Sequence, residues 1–175
     1  MTDSVRLPDP RNAVRALPKE SAVIVRHYDD ADRAGLAREL MSICREKQNR
    51  VLVAGDARLA LALGVDGLHL PEALALRQYA RWRAWRRPGD LLSVAAHSPR
   101  ALAKAALVKA DFALLSPVFP TPSHPESKGI GPYRFAAWTL GSKIPVFALG
   151  GVNLRNRGRV LDAGAAGWAG IKGLI

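Results

Sequence analysis

Short apolar runs alternate along the chain with longer stretches in which apolar positions recur at helical spacing. The runs are nearly continuous in hydrophobicity, which is typical of strands buried on both faces of a parallel sheet. The pattern predicts seven strands: Ala22–Arg26, Val51–Ala54, Gly67–Leu70, Leu91–Ala95, Phe112–Leu115, Val146–Leu149 and Trp168–Ile171.

The stretches between these runs predict helices. Ser98 followed by Pro99 is an N-cap with proline at the first helical position, and Gly64 is typical of a helix stop. The predicted helices are Asp30–Lys47, Asp56–Leu63, Glu72–Arg86, Ser98–Lys109, Tyr133–Leu140 and Asn153–Ala163. Strands and helices that alternate with short links indicate a parallel α/β protein.

Two parallel α/β architectures compete, an open doubly wound sheet and a closed (β/α)8 barrel. The first strand is followed by no glycine-rich dinucleotide turn, and the chain has no GxxxxGK[ST] motif, which favours the barrel. We therefore expect a single α/β domain of the (β/α)8 TIM-barrel type over residues 1–175. A closed barrel needs eight strands, and the pattern supplies seven.

The chain is basic, with 26 Lys and Arg against 15 Asp and Glu, a net charge of +11. The densest cluster interleaves arginines with aromatic residues: Arg77, Tyr79, Arg81, Trp82, Arg83, Trp85, Arg86 and Arg87. A nucleic-acid or membrane-surface face is one interpretation. We expect instead a solvated helix face whose tryptophans pack inward.

The sequence lacks an apolar segment typical of a membrane span or a signal peptide, and it lacks a pair of cysteines. No apolar run approaches the ~18 residues of a membrane span, and the polar segment Met1–Pro10 lacks a signal-peptide core. The single cysteine, Cys44, forms no internal disulfide. These features predict a cytoplasmic protein with no membrane partner.

The doubled glycine Gly150–Gly151 follows a predicted strand and precedes a predicted helix. Such a turn allows close approach of a ligand, and the start of the following helix would present free N–H groups and a positive dipole end to a phosphate. Lys172 follows the last strand, so it would lie beside the turn in a barrel, where phosphate sites are usual. The alternative is that the glycines only make a tight turn.

Other polar residues fall at predicted strand ends. Asp56 is either a Mg²⁺ ligand or the N-cap of the helix that follows it. His69, His97 and His124 follow strands without forming a zinc motif. For any one of them a structural hydrogen bond is the simpler role, and His124, in the proline-rich loop 116–132, is the best candidate for proton transfer.

Three ordered motifs resemble thiamine phosphate synthase and the related thiazole tautomerases. They are G-V-D-G-L-H-L at 64–70, S-P-V-F-P-T-P-S-H at 116–124 and P-V-F-A-L-G-G-V at 145–152. The resemblance implies a (β/α)8 barrel that joins a hydroxymethylpyrimidine pyrophosphate to a thiazole phosphate, releases pyrophosphate and uses Mg²⁺. Small phosphorylated substrates are the implied partners.

Residue by residue, the resemblance implies Arg26 and His124 as catalytic contacts to pyrophosphate, and Asp56 as the metal ligand. Its substrate-binding residues correspond to Thr121, Ser123, Gly150, Gly151 and Lys172. Several family contacts differ here: the glutamine and lysine that flank the matching arginine correspond to Ile24 and Tyr28, the family's loop lysine corresponds to His124, and a second metal carboxylate is absent unless Glu72 replaces it.

The resemblance also implies that the first strand and the last helix are missing, because the family's first strand should precede Ser4 and its last helix should follow Ile175. We expect two unpaired strand edges unless another segment or chain covers them. Three further hypotheses stay open: a tautomerase-like isomerase using His124 or His97, a non-catalytic phosphate-ligand binder, and nucleic-acid binding through the arginine helix. A homo-oligomer is compatible with each.

Overall fold

The computed structural model describes residues 1–122 and 126–172, with the side chains of Arg81 and Trp85 also outside the description. Its strands are β1 (Ala22–Val25), β2 (Arg50–Ala54), β3 (Gly67–Leu70), β4 (Leu91–Ala96), β5 (Phe112–Leu115), β6 (Val146–Ala148) and β7 (Gly167–Trp168). Each strand pairs in parallel with the next, in chain order. The sheet confirms the TIM-barrel-type prediction.

The helices of the described chain are α1 (Arg11–Ala16), α2 (Arg33–Arg45), α3 (Ala57–Leu63), α4 (Ala75–Trp85), α5 (Pro99–Leu107), α6 (Gly131–Thr139) and α7 (Arg157–Leu161), with a 3-10 turn over Glu72–Leu74. Among these described helices, none has the length and hydrophobicity needed to cross a membrane. Helix α1 was missed by the sequence pattern, because six residues carry too little periodicity.

Successive residues of a strand face two different apolar clusters. On β1, Val23 and Val25 join the large cluster that the helices cover, whereas Ile24 joins a small separate cluster with Leu52 and Leu114. The small cluster lies on the inner face of the curled sheet. Inward-facing residues at the strand ends therefore line the mouth of a barrel, where TIM-barrel sites lie.

The first residues of the chain cover the gap between the two strand edges, which is one of the alternatives that the sequence left open. The N–H of Thr2 donates to the carbonyl of Ile24 at 2.9 Å, and the nitrogen of Met1 donates to the carbonyl of Gly170 at 2.9 Å. Met1 and Thr2 thus bridge β1 and the segment after β7. This segment occupies the position in which the first strand of a barrel is expected.

Each predicted helix has a counterpart in the structure, but several predicted ends differ by two residues or more, and the start of α7 differs most. Ser98 caps α5, Asp56 caps α3, and Gly64 ends α3 in the left-handed conformation. Helix α7, however, begins at Arg157 rather than at Asn153. The reason is local. The Asn153 N–H donates to the side chain of Asn156 at 2.8 Å, which holds these residues in a turn.

The arginine-rich segment lies mainly on helix α4. Trp82 is buried, with 1% of its surface exposed, which agrees with the expected inward packing of this tryptophan. Arg77 and Arg83 on the same helix are exposed. The observed burial is that of an ordinary amphipathic helix face.

Candidate active site

A cavity of about 820 Å³ opens at the carboxyl ends of the strands. It brings together five of the residues predicted from the sequence: Arg26, Thr121, Gly150, Gly151 and Lys172. Of the other predicted site residues, Ser123 and His124 lie outside the described residues. Asp56 is described, but it is not among the residues that line this cavity.

The doubled glycine forms one wall of the cavity. Both residues have positive φ, +89° at Gly150 and +67° at Gly151. A Cβ on Gly150 would lie 2.7 Å from Cα of Pro117, and a Cβ on Gly151 would lie 2.5 Å from the carbonyl oxygen of Pro120. The positions of the missing Cβ atoms therefore face the loop after β5. Glycine is required here because two loops pack together.

The backbone of this turn offers hydrogen-bond donors to the cavity wall. Its carbonyl groups are used: Gly150 accepts from the Phe119 N–H, and Gly151 accepts from the Asn156 side chain, both at 2.9 Å. The N–H groups of Gly150, Gly151 and Val152 have no partner within the described part of the chain. Consecutive unpaired N–H groups form the kind of concavity that binds anions, and we call 150–152 the cradle.

Lys172 supplies a full positive charge on the same cavity. Helix α7 does not contribute its N-terminus to the cradle, because it has five residues and begins at Arg157. The prediction that the N–H groups belong to a helix start is therefore wrong. The donors come from the loop backbone itself.

A second cationic region lies around Arg26, which follows β1 and lines the same cavity. Arg6 forms an ion pair with Asp3 at 2.7 Å, and Arg26 lies 4.0 Å from the same Asp3 oxygen. Hydrogen bonding from Arg6 lowers the pKa of Asp3 to about 2, so Asp3 is ionised at neutral pH. The three side chains therefore carry one net positive charge. Asp3 and Arg6 were missed because they lie in an irregular segment without a motif.

A buried network holds the backbone of Arg26. The Thr2 hydroxyl accepts from the Arg26 N–H at 2.9 Å and lies 2.9 Å from Nδ1 of His27. Nε2 of His27 lies 3.2 Å from the carbonyl of Pro8. Since the hydroxyl already accepts from Arg26, its own hydrogen is free to be donated to His27.

Two histidines predicted only as alternatives also line the cavity. Nδ1 of His69 lies 2.8 Å from the Ser93 hydroxyl. Nδ1 of His97 lies 2.8 Å from the carbonyl of Ser116, which requires this nitrogen to be the donor, and the His97 N–H donates to Glu72 at 3.1 Å. Both rings are thus fixed in orientation by neighbouring groups.

Residues 10–174 match the family model described as thiamine monophosphate synthase. The chain belongs to the thiamine monophosphate synthase family.

Relatives within this family share about a third of the aligned residues. The putative thiamine-phosphate synthase of Geobacter sulfurreducens is 38% identical over 141 residues, covering 80% of this chain and 65% of the relative. The putative thiamine-phosphate synthase 2 of Aquifex aeolicus is 34% identical over 151 residues, covering 85% and 80%. The chain thus spans somewhat less than two thirds of the first relative and four fifths of the second.

A solved structure, thiamine phosphate pyrophosphorylase from Pyrococcus furiosus, has a similar fold. Its TM-score is 0.79 at 24% identity, and the match covers 97% of this chain and 82% of that one. At this identity the match shows the barrel-type fold.

The family resemblance implies Mg²⁺, but the described side chains do not form a binding site for this ion. Among residues 1–122 and 126–172, no group of three or more His, Cys, Asp or Glu side chains could hold a metal ion. Asp56 accepts from the N–H of Leu59 at 2.9 Å, as a helix cap. The cavity carboxylates Asp3 and Glu72 are engaged by Arg6 and by the His97 N–H. This donor set does not fit a resident divalent cation.

A guanidinium also lies near Asp56. Nη2 of Arg33 donates to the carbonyls of Val25 and Ala54 at 2.8 and 2.5 Å, joining the carboxyl ends of β1 and β2. Burial lowers the pKa of Arg33, and the negative charge of Asp56 partly offsets this effect. A cation at Asp56 would therefore meet a positive charge that the fold already places there.

Proposed function

We propose that this chain joins a hydroxymethylpyrimidine pyrophosphate to a thiazole phosphate and releases pyrophosphate, forming thiamine phosphate. The observation that carries the proposal is that two sets of cationic or N–H donor groups line one cavity. One contains Arg26, and the other contains the cradle and Lys172. A reaction between a pyrophosphate ester and a phosphate ester needs both.

The reaction is a substitution at carbon. The bond between the pyrimidine methylene and the pyrophosphate oxygen breaks, and pyrophosphate leaves with the electron pair. The thiazole nitrogen then donates its lone pair to the stabilised carbocation, so that the product carries a thiazolium. No proton transfer is required, and the protein has to neutralise the leaving group and align the partner.

Arg26 is proposed to neutralise the departing charge. Its guanidinium carries a positive charge and lies on the cavity, beside Asp3 and Arg6. Removal of one such contact typically costs ~2–4 kcal/mol of transition-state stabilisation. His124 is the second leaving-group contact in this proposal, with Thr121 and Ser123 as further substrate contacts.

The cradle and Lys172 are proposed to bind the thiazole phosphate. The N–H groups of 150–152 supply direction, and Lys172 supplies charge. Binding at this end positions the ring nitrogen for attack but does not change the leaving group. Substitutions here are therefore expected to act mainly on KM, whereas substitution of Arg26 acts mainly on kcat.

The test is to incubate the purified chain with both precursors, at several Mg²⁺ concentrations, and to measure thiamine phosphate by chromatography. We expect Lys172→Glu to raise KM for the thiazole phosphate about tenfold or more and Arg26→Gln to lower kcat about 30-fold or more. Lys143→Glu and Arg38→Gln are matched controls, because both residues are exposed and neither lines the cavity. The proposal is abandoned if the wild-type chain forms no product.

A second candidate, a tautomerase-like isomerase, is favoured by the arrangement of His97. Its ring is oriented by the Ser116 carbonyl and its backbone by Glu72, both beside the cavity. Isomerisation of a thiazole tautomer without a pyrimidine substrate, lost in His97→Asn, would favour this function. Saturable binding of thiazole phosphate without either reaction would indicate a non-catalytic binder.

A further inference from the structure

A polar pair lies on the inner face of the barrel sheet, and its histidine lines the cavity. His69 on β3 and Ser93 on β4 are partners in the strand register, and both face the inner side of the sheet. They are 3% and 0% exposed. Nδ1 of His69 lies 2.8 Å from the Ser93 hydroxyl. Their neighbours on the inner face are mostly apolar, including Ile24, Leu52 and Leu114.

The hydrogen bond between the two side chains favours one tautomer of His69. The Ser93 hydroxyl has no other partner within the described residues. If Nδ1 of His69 carried the proton, the hydroxyl hydrogen would be buried without an acceptor, which is costly. If the hydroxyl donates to Nδ1, the hydroxyl hydrogen has an acceptor, and the proton of the ring lies on Nε2.

The remaining nitrogen, Nε2, is the part of the pair available to a ligand. The ring of His69 lines the cavity, and Nε2 has no hydrogen-bond partner in the described part of the chain. The ring is also electrically neutral, because burial and the nearby charge of Arg26 lower the pKa of His69 to about 3. A neutral donor suits an uncharged acceptor better than it suits a phosphate.

We propose that Ser93 is a positioning residue that fixes His69 as a neutral Nε2–H donor, and that this donor binds the ring nitrogen of an aromatic heterocycle in the barrel lumen. The heterocycle would be the pyrimidine of the substrate, so the ligand part of this inference rests on the proposed function. The tautomer part does not, since it follows from the hydrogen bonds of the unliganded chain.

The tautomer is measured directly by ¹⁵N-edited NMR of the histidine side chains in the unliganded protein. The chain has four histidines, and the spectrum of His69→Leu identifies the signals of His69. We expect a protonated Nε2 and an unprotonated Nδ1 that do not change between pH 5 and pH 8, the usual range of histidine titration. A proton on Nδ1, or a titration within that range, overturns the proposal.

The ligand contact is measured by calorimetric binding of 4-amino-5-hydroxymethyl-2-methylpyrimidine and of its two analogues in which one ring nitrogen is replaced by CH. In the wild-type chain we expect one analogue to bind about five- to tenfold more weakly than the pyrimidine. In His69→Leu the same analogue and the pyrimidine should bind equally. Absence of binding to the wild-type chain, or equal losses in both proteins, overturns the ligand assignment.

The Ser93→Ala variant tests whether the Ser93 hydroxyl positions the His69 ring or whether Ser93 only packs against it. Without the hydroxyl, His69 exchanges between tautomers, so the NMR signals should shift and the nitrogen-dependent preference should fall about threefold. Ser93→Thr keeps the hydroxyl and should restore both properties. An unchanged tautomer in a folded Ser93→Ala protein would contradict the positioning role. Product formation decides the proposed function separately, because the tautomer is read without substrate.

Discussion

Gly151 and Pro120 approach so closely that a Cβ on the glycine would lie 2.5 Å from the proline carbonyl oxygen. The two residues belong to the loops after β6 and β5, and the neighbouring Phe119 N–H donates to the carbonyl of Gly150 at 2.9 Å. The cradle is therefore shaped by the adjacent loop, and its N–H groups have no partner among residues 1–122 and 126–172. Packing between the loops and the proposed binding of an anion thus depend on the same glycines.

Replacement of Gly151 by alanine is predicted to destabilise the protein through both steric overlap and a positive φ of +67°. Together these effects should lower the free energy of unfolding by about 2–4 kcal/mol. Gly164→Ala is the matched control, because Gly164 has φ +85° but no atom within 4 Å of its Cβ position. That variant should lose only about 1 kcal/mol, as measured by urea unfolding. Equal losses would show that steric overlap contributes nothing.

The strands were predictable because their apolar runs are nearly continuous. The predicted bounds of Gly67–Leu70 and Phe112–Leu115 agree with the structure, and the caps Asp56 and Ser98 are observed. The pattern failed where side chains replace backbone hydrogen bonds. The Asn153–Asn156 turn delays α7 in this way. Such contacts depend on local geometry that periodicity does not report.

The site was predictable in part. Arg26, Thr121, the two glycines and Lys172 meet on one cavity because parallel strands place their carboxyl ends at one edge. Asp3 and Arg6 were not predictable, since their position depends on the bridging of β1 and β7 by the first residues. The pairing of His69 with Ser93 required the strand register, which the sequence does not show.

Asp56 is predicted to act as a helix cap, and two substitutions separate that role from metal binding. Asp56→Asn keeps a capping side chain and should change the free energy of unfolding by less than about 0.5 kcal/mol. Asp56→Ala removes the acceptor for the Leu59 N–H and should cost about 0.5–2 kcal/mol. Urea unfolding of both variants measures this difference.

The same Asp56→Asn protein tests the metal assignment implied by the family resemblance. At unchanged stability, a higher Mg²⁺ requirement for product formation would show that the carboxylate contributes to metal binding. An unchanged requirement would leave capping as its role. A stability loss in Asp56→Asn as large as that in Asp56→Ala would contradict the capping prediction.

Thr2 is predicted to stabilise the site through its buried hydroxyl, which contacts Arg26 and His27. Thr2→Val keeps the shape but leaves the Arg26 N–H and Nδ1 of His27 without partners. We expect a loss of about 1–3 kcal/mol in the free energy of unfolding. Thr2→Ser retains the hydroxyl and should lose about 1 kcal/mol, from the missing methyl group. Equal losses in urea unfolding would contradict a role for the hydroxyl.

Stability is predicted to fall on acidification because His69 is buried in its neutral form. Its pKa is about 3 in the folded chain, against an ordinary value of 6.5. Between these values the unfolded chain binds a proton that the folded chain does not, so the free energy of unfolding decreases as the pH falls. Each pH unit within this window contributes up to about 1.4 kcal/mol.

The contribution of His69 is isolated by comparing wild type with His69→Leu between pH 6 and pH 4. The wild-type chain should lose about 2–3 kcal/mol more than the variant over this interval, measured by urea unfolding at each pH. The stability that Asp3 contributes is lost mainly below its ordinary value of 3.8, because its pKa is about 2. The Met1 amine, whose pKa burial lowers to about 5, titrates within this interval in both proteins, so the comparison largely cancels its contribution. Parallel pH profiles of the two proteins would show that His69 binds its proton in the folded chain as readily as in the unfolded one, which would contradict the lowered pKa of His69.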